Sequence, residues 1–198
     1  MKKYKVLLSA LMIMAVLSGC ERSMSYLKEG TTALKNKNYA AATDCFKNAV
    51  KKEKAYTPAN NEEKKIQSAN IKEAYKGLGM TYFEQKEYEK SLNTYLEMEK
   101  YEGNISAVTY RNMAICAKEL DNREDAILYC NKGIEALNKD SKDAAEACKD
   151  LYIIPLKMYE DDLNFKEALK YAQGYSELFP DDAYILKEID FLTTRQEN

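Results

Sequence analysis

The sequence predicts an all-α fold, an α-solenoid of about four helix-turn-helix units closed by a C-terminal capping helix, and three observations carry that prediction. Small and aromatic residues return in one frame at intervals of 35 residues or of 35 lengthened by seven or fourteen. Asn and Asp stand where helices would start between those frames. The composition, 45 % hydrophobic with seven Gly and three Pro in 198 residues, favours ordered helix. A period of this length means stacked supersecondary units that bury a common core.

From the N-terminus, Lys2, Lys3 and Lys5 precede an apolar run at residues 6–16. That run is too short to cross a bilayer as a packed helix and the right length for a signal peptide. Leu17-Ser18-Gly19-Cys20 follows and resembles the bacterial lipoprotein box, in which cleavage precedes a cysteine whose thiol carries a diacylglycerol. The resemblance implies that residues 1–19 are a removed signal peptide, that Cys20 is lipidated, that 20–23 form a short tether, and that 24–198 are the repeat domain. It places the protein on the extracytoplasmic face of the cell membrane or outer membrane, and Glu21 is compatible with outer-membrane sorting. Each buried CH₂ contributes roughly 0.8 kcal/mol, so two or more acyl chains hold a protein that one would release. Three residues, Glu21, Arg22 and Ser23, span roughly 10 Å at full extension, which predicts a first unit lying close to the lipid.

The clearest repeat unit is Tyr75-x-x-Leu78-Gly79-x-x-Tyr82, followed by Tyr88, Ser91 and Tyr95. It resembles the tetratricopeptide repeat (TPR), with tyrosine in place of the tryptophan. The frame returns at Tyr110, Met113, Ala114 and Ala117, then Ala126, Cys130 and Gly133. Upstream it falls on Tyr26 and Gly30, then Tyr39, Ala42, Phe46 and Ala49; downstream on Tyr152 and Tyr159, then Phe165, Ala168, Ala172 and Pro180. The physical basis is close packing of antiparallel helices, in which Gly30, Gly79 and Ala114 admit the partner helix and Ala42, Ser91, Ala126 and Ala168 answer from it. Asn38, Asp121 or Asn122, and Asn164 are the candidate N-caps, with Glu167 three residues after Asn164 as in a capping box.

Equivalent small residues lie 49 apart from Ala42 to Ser91, 35 apart from Ser91 to Ala126, and 42 apart from Ala126 to Ala168. The excesses are multiples of seven, almost two helical turns, so they predict lengthened helices that keep their buried face. One would begin near Thr57-Pro58, unless Pro58-Ala59-Asn60-Asn61 is a loop; the other would begin near Asp140-Ser141. Pro155 falls inside a helix and predicts a kink or restart there. Asp181-Asp182 would open the capping helix, with Tyr184, Ile185, Ile189 and Leu192 as its apolar residues.

Several chemistries are excluded. The chain has no histidine, which removes His-based triads and HExxH zinc sites. It has no phosphate-gripping glycine loop and no CxxC, and no metal or cofactor is expected. Pairs such as Asp161-Asp162 and Glu124-Asp125 are expected on a solvated surface. Cys116 and Cys130 would face each other across one hairpin, and Cys130 and Cys148 across the next, within reach of a bond. Cys45, Cys116 and Cys130 also occupy helix interiors where a small apolar residue is wanted, and buried free thiols are the favoured expectation. Loss of residues 1–19 leaves 27 basic against 32 acidic residues, a net charge of −5 that argues against a nucleic-acid partner.

Most of the sixteen tyrosines recur at frame positions, and Tyr26, Tyr75, Tyr82, Tyr88 and Tyr95 are expected in the core. In TPR proteins the first helices line a concave surface. Rotating away from the packed positions leaves Leu27, Thr31 and Leu34, then Lys76, Met80 and Phe83, then Arg111, Ile115 and Lys118, then Ile153 and Lys157. This mixture of apolar and basic residues would suit a segment with apolar side chains and some acid. One groove chemistry of the family clamps a C-terminal carboxylate with paired Lys and Asn; Lys76 matches the lysine, but Met80 replaces the asparagine, so that clamp is not expected. The resulting expectation is a non-catalytic, lipid-anchored interaction scaffold for another envelope or secreted protein or peptide. The alternatives are a lipoprotein that binds a small molecule or peptide, and a subunit of an envelope assembly machine.

Overall fold

Helix α1 occupies residues 23–35 of the computed structural model, which describes residues 23–137 and 142–196. Then come α2 (Tyr39–Ala55), α3 (Asn61–Glu84) and α4 (Tyr88–Glu99). They are followed by α5 (Ala107–Glu119), α6 (Arg123–Glu135), α7 (Lys142–Asp161), α8 (Phe165–Leu178) and α9 (Ala183–Gln196). The chain divides after Gly103 into two compact units, α1 to α4 and α5 to α9. In each, consecutive helices pack against one another, and in the second unit α7 also packs on α5. The predicted fold class holds: four helical hairpins and a final helix, with no strand among the described residues.

All four hairpins turn in the same way. Lys37, Lys86, Asp121 and Leu163 each adopt a left-handed backbone, with φ between 55° and 59°. In the first turn Lys37 N–H donates to the Leu34 carbonyl at 2.9 Å and Asn38 N–H to that of Ala33 at 2.8 Å. The same two bonds recur from Lys86 and Glu87, from Asp121 and Asn122, and from Leu163 and Asn164. This is the Schellman closure, which satisfies carbonyls at a helix end and normally favours glycine. The next residue caps the following helix: Asn38, Asn122 and Asn164 accept from the N–H three positions on. Asn122, not Asp121, is therefore the third cap. The Glu167 carboxylate does not complete a capping box; it pairs with Lys170 at 2.6 Å.

The packing inside each unit explains the small residues. Ala42, Ser91, Ala114, Ala126 and Ala168 are wholly buried. A Cβ built on Gly30 would stand 2.9 Å from the Phe46 ring, one on Gly79 2.6 Å from Tyr95, and one on Gly77 inside the Phe46 ring. Ser91 Oγ donates to the Gly79 carbonyl at 2.9 Å, tying α4 to α3 at the glycine that Tyr95 covers. In the second unit Leu151 and Tyr152 press on Gly133 and Gly174 in the same way.

Three expectations change in detail. The helix that was to begin near Thr57-Pro58 is long, 24 residues, but starts at Asn61, so the loop reading holds for 58–60 and ends one residue earlier than expected. Asn60 Oδ1 accepts from Glu63 N–H at 2.9 Å while the Glu63 carboxylate accepts from Ala59 N–H at 2.8 Å, fixing the start there. Helix α7 is also long, 20 residues, and runs through Pro155 without restarting; the ring is fully buried, and that burial offsets the lost backbone bond. The expected start at Asp140-Ser141 lies outside the described residues, as does Cys20. Of the five tyrosines expected in the core, Tyr95 is 1 % exposed, whereas Tyr26, Tyr75, Tyr82 and Tyr88 are half-buried. Their hydroxyls need water or partners, as in the bond from Lys54 Nζ to the Tyr75 hydroxyl at 2.7 Å.

Two substitutions test this packing by urea unfolding. Gly77→Ala gains about 1 kcal/mol of helix propensity but overpacks Phe46 at a cost of roughly 1–3 kcal/mol, so net destabilisation is expected. Leu163→Gly removes left-handed strain of about 1–2 kcal/mol from a side chain that is 73 % exposed. After the entropy cost of glycine, a gain of about 0.5–1 kcal/mol is expected.

Candidate functional site

The residues predicted to line the concave surface fall on the first helix of each hairpin. In the first unit, Leu27 and Leu34 of α1 are half-buried against Ala42, Phe46 and Leu78, serving the core as much as the surface. Met80 and Phe83 of α3 are half-buried, and Phe83 meets Tyr88 edge-on at 6.2 Å. Lys76 is exposed and bonded to both oxygens of Glu73, at 3.0 and 2.9 Å.

In the second unit, Arg111 of α5 is half-buried. Its Nε and Nη2 donate to Asn112 Oδ1 at 3.3 and 3.2 Å, and the guanidinium lies 3.8 Å from Asp150 of α7. That contact sets the linings of α5 and α7 side by side. Ile115 and Ile153 are half-buried, the latter against the cluster containing Leu156, Ala168 and Ile185. Lys118 is exposed and pairs with Glu119 at 3.2 Å. Lys157 reaches from α7 to α9, bonding Glu160 at 2.7 Å and Glu188 at 3.0 Å. Each of these four cations thus stands beside an acidic side chain, which softens the basic character read from the sequence.

Around Lys157 the second unit forms a cleft of about 530 Å³ between the end of α7, the α7–α8 turn and α9. The α9 anchor shapes it: Asp182 Oδ1 accepts from Tyr184 N–H at 3.0 Å, while its Oδ2 accepts from the Tyr175 hydroxyl, also at 3.0 Å. The tyrosine bond, joined by the backbone bonds, holds the Asp182 carboxyl below its ordinary pKa. Burial of Tyr175 and the same bond push its hydroxyl up to about 12. Ile185 and Leu192 face the core, whereas Tyr184 is 44 % exposed and belongs to the outer face with Glu188, Phe191 and Arg195. That face was legible as a spacing of four, three and four residues running beside the buried stripe. The contribution of Glu160, Asp161, Leu163 and Phe165 was not.

Beneath the cleft, burial, reinforced by a hydrogen bond with Glu188 and by its charge, raises the Glu160 carboxyl above its usual pKa, and Glu160 Oε1 is shut from solvent. Burial works against the charge of Lys157, but bonds to Glu160, Tyr184 and Glu188 outweigh it and lift its pKa. The four described cysteines are free thiols. Cys116, Cys130 and Cys148 are buried, and burial pushes Cys130 up to about 12 and Cys148 up to about 11. No group of His, Cys, Asp and Glu among the described residues is arranged to hold a metal ion.

No protein-family model matches the sequence. No curated protein matches it either. Among solved structures, the chain is similar to YrrB, described as a TPR protein with an unusual peptide-binding site, with a TM-score of 0.66 and 16 % identity over 94 % of this chain and 84 % of that one. It is similar to MamA, with a TM-score of 0.61 and 16 % identity over 89 % and 84 % of the two chains. It is also similar to BtubC (BKLC) from P. vanneervenii, with a TM-score of 0.61 and 11 % identity over 92 % and 83 %. At these identities the likeness is one of fold, and that fold is TPR-like.

The thiols give a sign-definite pH dependence. Above their unfolded value near 9.0 the unfolded chain releases protons that folded Cys130 and Cys148 retain. Their contribution to stability is therefore complete below pH 9 and lost as pH rises through 11 to 12. Urea midpoints should fall from pH 8.5 to pH 10.5, less steeply in Cys130→Ala. At pH 8, maleimide should label half-buried Cys45 before Cys116, Cys130 or Cys148.

Proposed function

We propose that this protein is a lipid-anchored, extracytoplasmic interaction scaffold of the cell envelope that binds another envelope or secreted protein or peptide and catalyses no reaction. The observation that carries the reading is the TPR-like fold, whose first helices leave Met80, Phe83, Ile115 and Ile153 half-exposed among polar neighbours. A half-buried apolar side chain on a rigid helix gives a partner segment area to cover at little entropic cost. The peptide-binding site described for YrrB supports a peptide or protein as the ligand class.

The anchor is supported by the order of basic end, apolar run and Leu17-Ser18-Gly19-Cys20. Helix α1 begins at residue 23, three residues beyond Cys20, and is fastened at once: Ser23 Oγ donates to the carboxylate of Glu53, which also accepts from Asn70 Nδ2 at 2.8 Å. On this reading the first unit lies against the membrane.

Two experiments test the two halves of the reading. Cys20→Ala should abolish incorporation of a palmitate analogue and release the protein from the membrane fraction; retention with undiminished labelling would overturn the anchor. In pull-downs from native membranes, the Met80→Asp, Phe83→Asp double variant should lose partners that the wild type retains. An unchanged partner set from a variant with native circular dichroism would overturn the groove.

A further inference from the structure

We propose that the end of the first unit formed by the start of α1, the end of α2 and the start of α3 docks on anionic lipid headgroups of the leaflet that holds the anchor, with Lys51, Lys52, Lys64 and Lys65 as its cationic contacts. The inference rests on the proposed lipidation of Cys20 and adds to it a protein surface that fixes how the first unit stands on the bilayer.

Hydrogen bonds hold these three helix ends together. Ser23 Oγ, on the first residue of α1, donates to the Glu53 carboxylate near the end of α2. Asn70 Nδ2 of α3 donates to the same carboxylate at 2.8 Å, and Gln67 Nε2 donates to the carbonyls of Glu53 and Tyr56 at 2.5 and 2.7 Å. From Cys20 to Ser23 a chain reaches roughly 10 Å at most. A lipid on Cys20 therefore brings this end to the headgroups, while the turns at Lys37 and Lys86 lie at the far end of the two hairpins.

The charge at this end suits an anionic surface. Lys51 and Lys52 lie within four residues of the end of α2, and Lys64 and Lys65 within the first five of α3. All four are exposed, and none has an acidic partner among the described residues. Side chains on a helix lean toward its start, which carries Lys64 and Lys65 toward the bilayer side. The nearby acids are withdrawn: Glu53 is 6 % exposed and engaged by Ser23 and Asn70, and the Glu63 carboxylate accepts from the Tyr56 hydroxyl and the Ala59 N–H. Among the described residues of this end Glu62 and Glu102 remain as exposed carboxylates, two against four lysines. The acidic balance of the whole chain does not oppose the contact, because at physiological salt charge is felt only within about 8 Å.

Two apolar side chains flank the lysines, Met24 at 45 % and Ile66 at 44 % exposure. Cations around single apolar groups are the make-up of a surface that settles in the headgroup layer, the cations on phosphate and the apolar groups beneath it. Along α3, Met80 and Phe83 lie 14 and 17 residues beyond Ile66, about 21 and 26 Å at the helical rise. Docking by this end holds both clear of the lipid, where a partner can reach them.

The chain has no tryptophan, so Ile66→Trp supplies a single fluorophore at the docking end and Asn36→Trp one at the far end. Each full-length lipoprotein is reconstituted from detergent into vesicles of brominated phosphatidylcholine, alone or mixed with brominated phosphatidylglycerol. Quenching of Ile66→Trp should be at least about twofold stronger in the anionic vesicles, the difference shrinking as salt rises, and Asn36→Trp should stay unquenched in both. In the Ile66→Trp background, Lys64→Glu with Lys65→Glu should erase the difference; acids in the first turns of a helix suit its dipole, so the melting temperature should not fall. Lys35→Glu with Lys37→Glu, the same charge change at the far end, should leave it intact. Equal quenching in the two vesicle types, an undiminished difference in the Lys64, Lys65 variant, or equal quenching at both tryptophans would each overturn the docking. Co-flotation reports the anchor separately: protein that floats with neutral vesicles but shows no anionic preference sinks the docking and leaves the anchor standing, whereas protein that fails to float with neutral vesicles overturns the anchor and the docking with it.

Discussion

Large side chains seated directly on glycine backbone set the distance between helices in both units, and the remaining contacts are arranged around that distance. Phe46 lies against Gly30 and Gly77, Tyr95 against Gly79, Leu151 against Gly133, and Tyr152 against Gly174. Where the backbone is bare, a ring can cover peptide groups that a Cβ would hold off, and the helix pair closes by the width of a methyl group. Ser91 can then reach the Gly79 carbonyl, and the wholly buried Ala42 and Ala168 fit without a void. A single side chain bridging two glycines, as Phe46 does between α1 and α3, couples neighbouring hairpins as well as the helices within one.

The turns show a second economy. All four use the same left-handed residue and the same pair of backbone bonds, yet none has glycine at that position. The strain is held by the cap that follows, an asparagine in three turns out of four. In the second turn Glu87 takes the cap position without a side-chain bond to the backbone, and Lys90 pairs with its carboxylate instead. Hairpin geometry here is thus fixed by backbone closure and tolerates varied side chains, which leaves the turn residues free to serve the surface.

Much of the fold was legible because its determinants are periodic. Tyr75 to Tyr95 fixed one hairpin, and the small residues at 42, 91, 126 and 168 carried the frame to the others. The start of α3 stayed open between a helix from Thr57-Pro58 and a loop at 58–61, because the reciprocal bonds of Asn60 and Glu63 that decide it exist only in three dimensions. Pro155 brings no restart because the cost of a missing backbone bond is local while the burial that offsets it is tertiary. The lining residues were legible as positions, not as chemistry. Lys76, Lys118 and Lys157 read as free positive charge along the chain, but their acidic neighbours at 73, 119, 160 and 188 are brought to them by helix geometry or by packing. The cleft was hidden because it is built from a turn and two helices that are not consecutive.

The bond from Ser23 to Glu53 bears on how such a domain could ever leave a membrane. Sites of proteolytic nicking concentrate in exposed tips and loose termini. Helix α1 begins at residue 23, and its first hydroxyl is already engaged by a carboxylate that is 6 % exposed, so an anchor at Cys20 would leave only residues 21 and 22 between lipid and fold. Under the proposed anchoring at Cys20, shedding would require first unwinding the start of α1 and uncovering Glu53. Turnover of the surface-bound protein would then be governed by the stability of its first hairpin, and exchange of partners would have to occur with the scaffold in place.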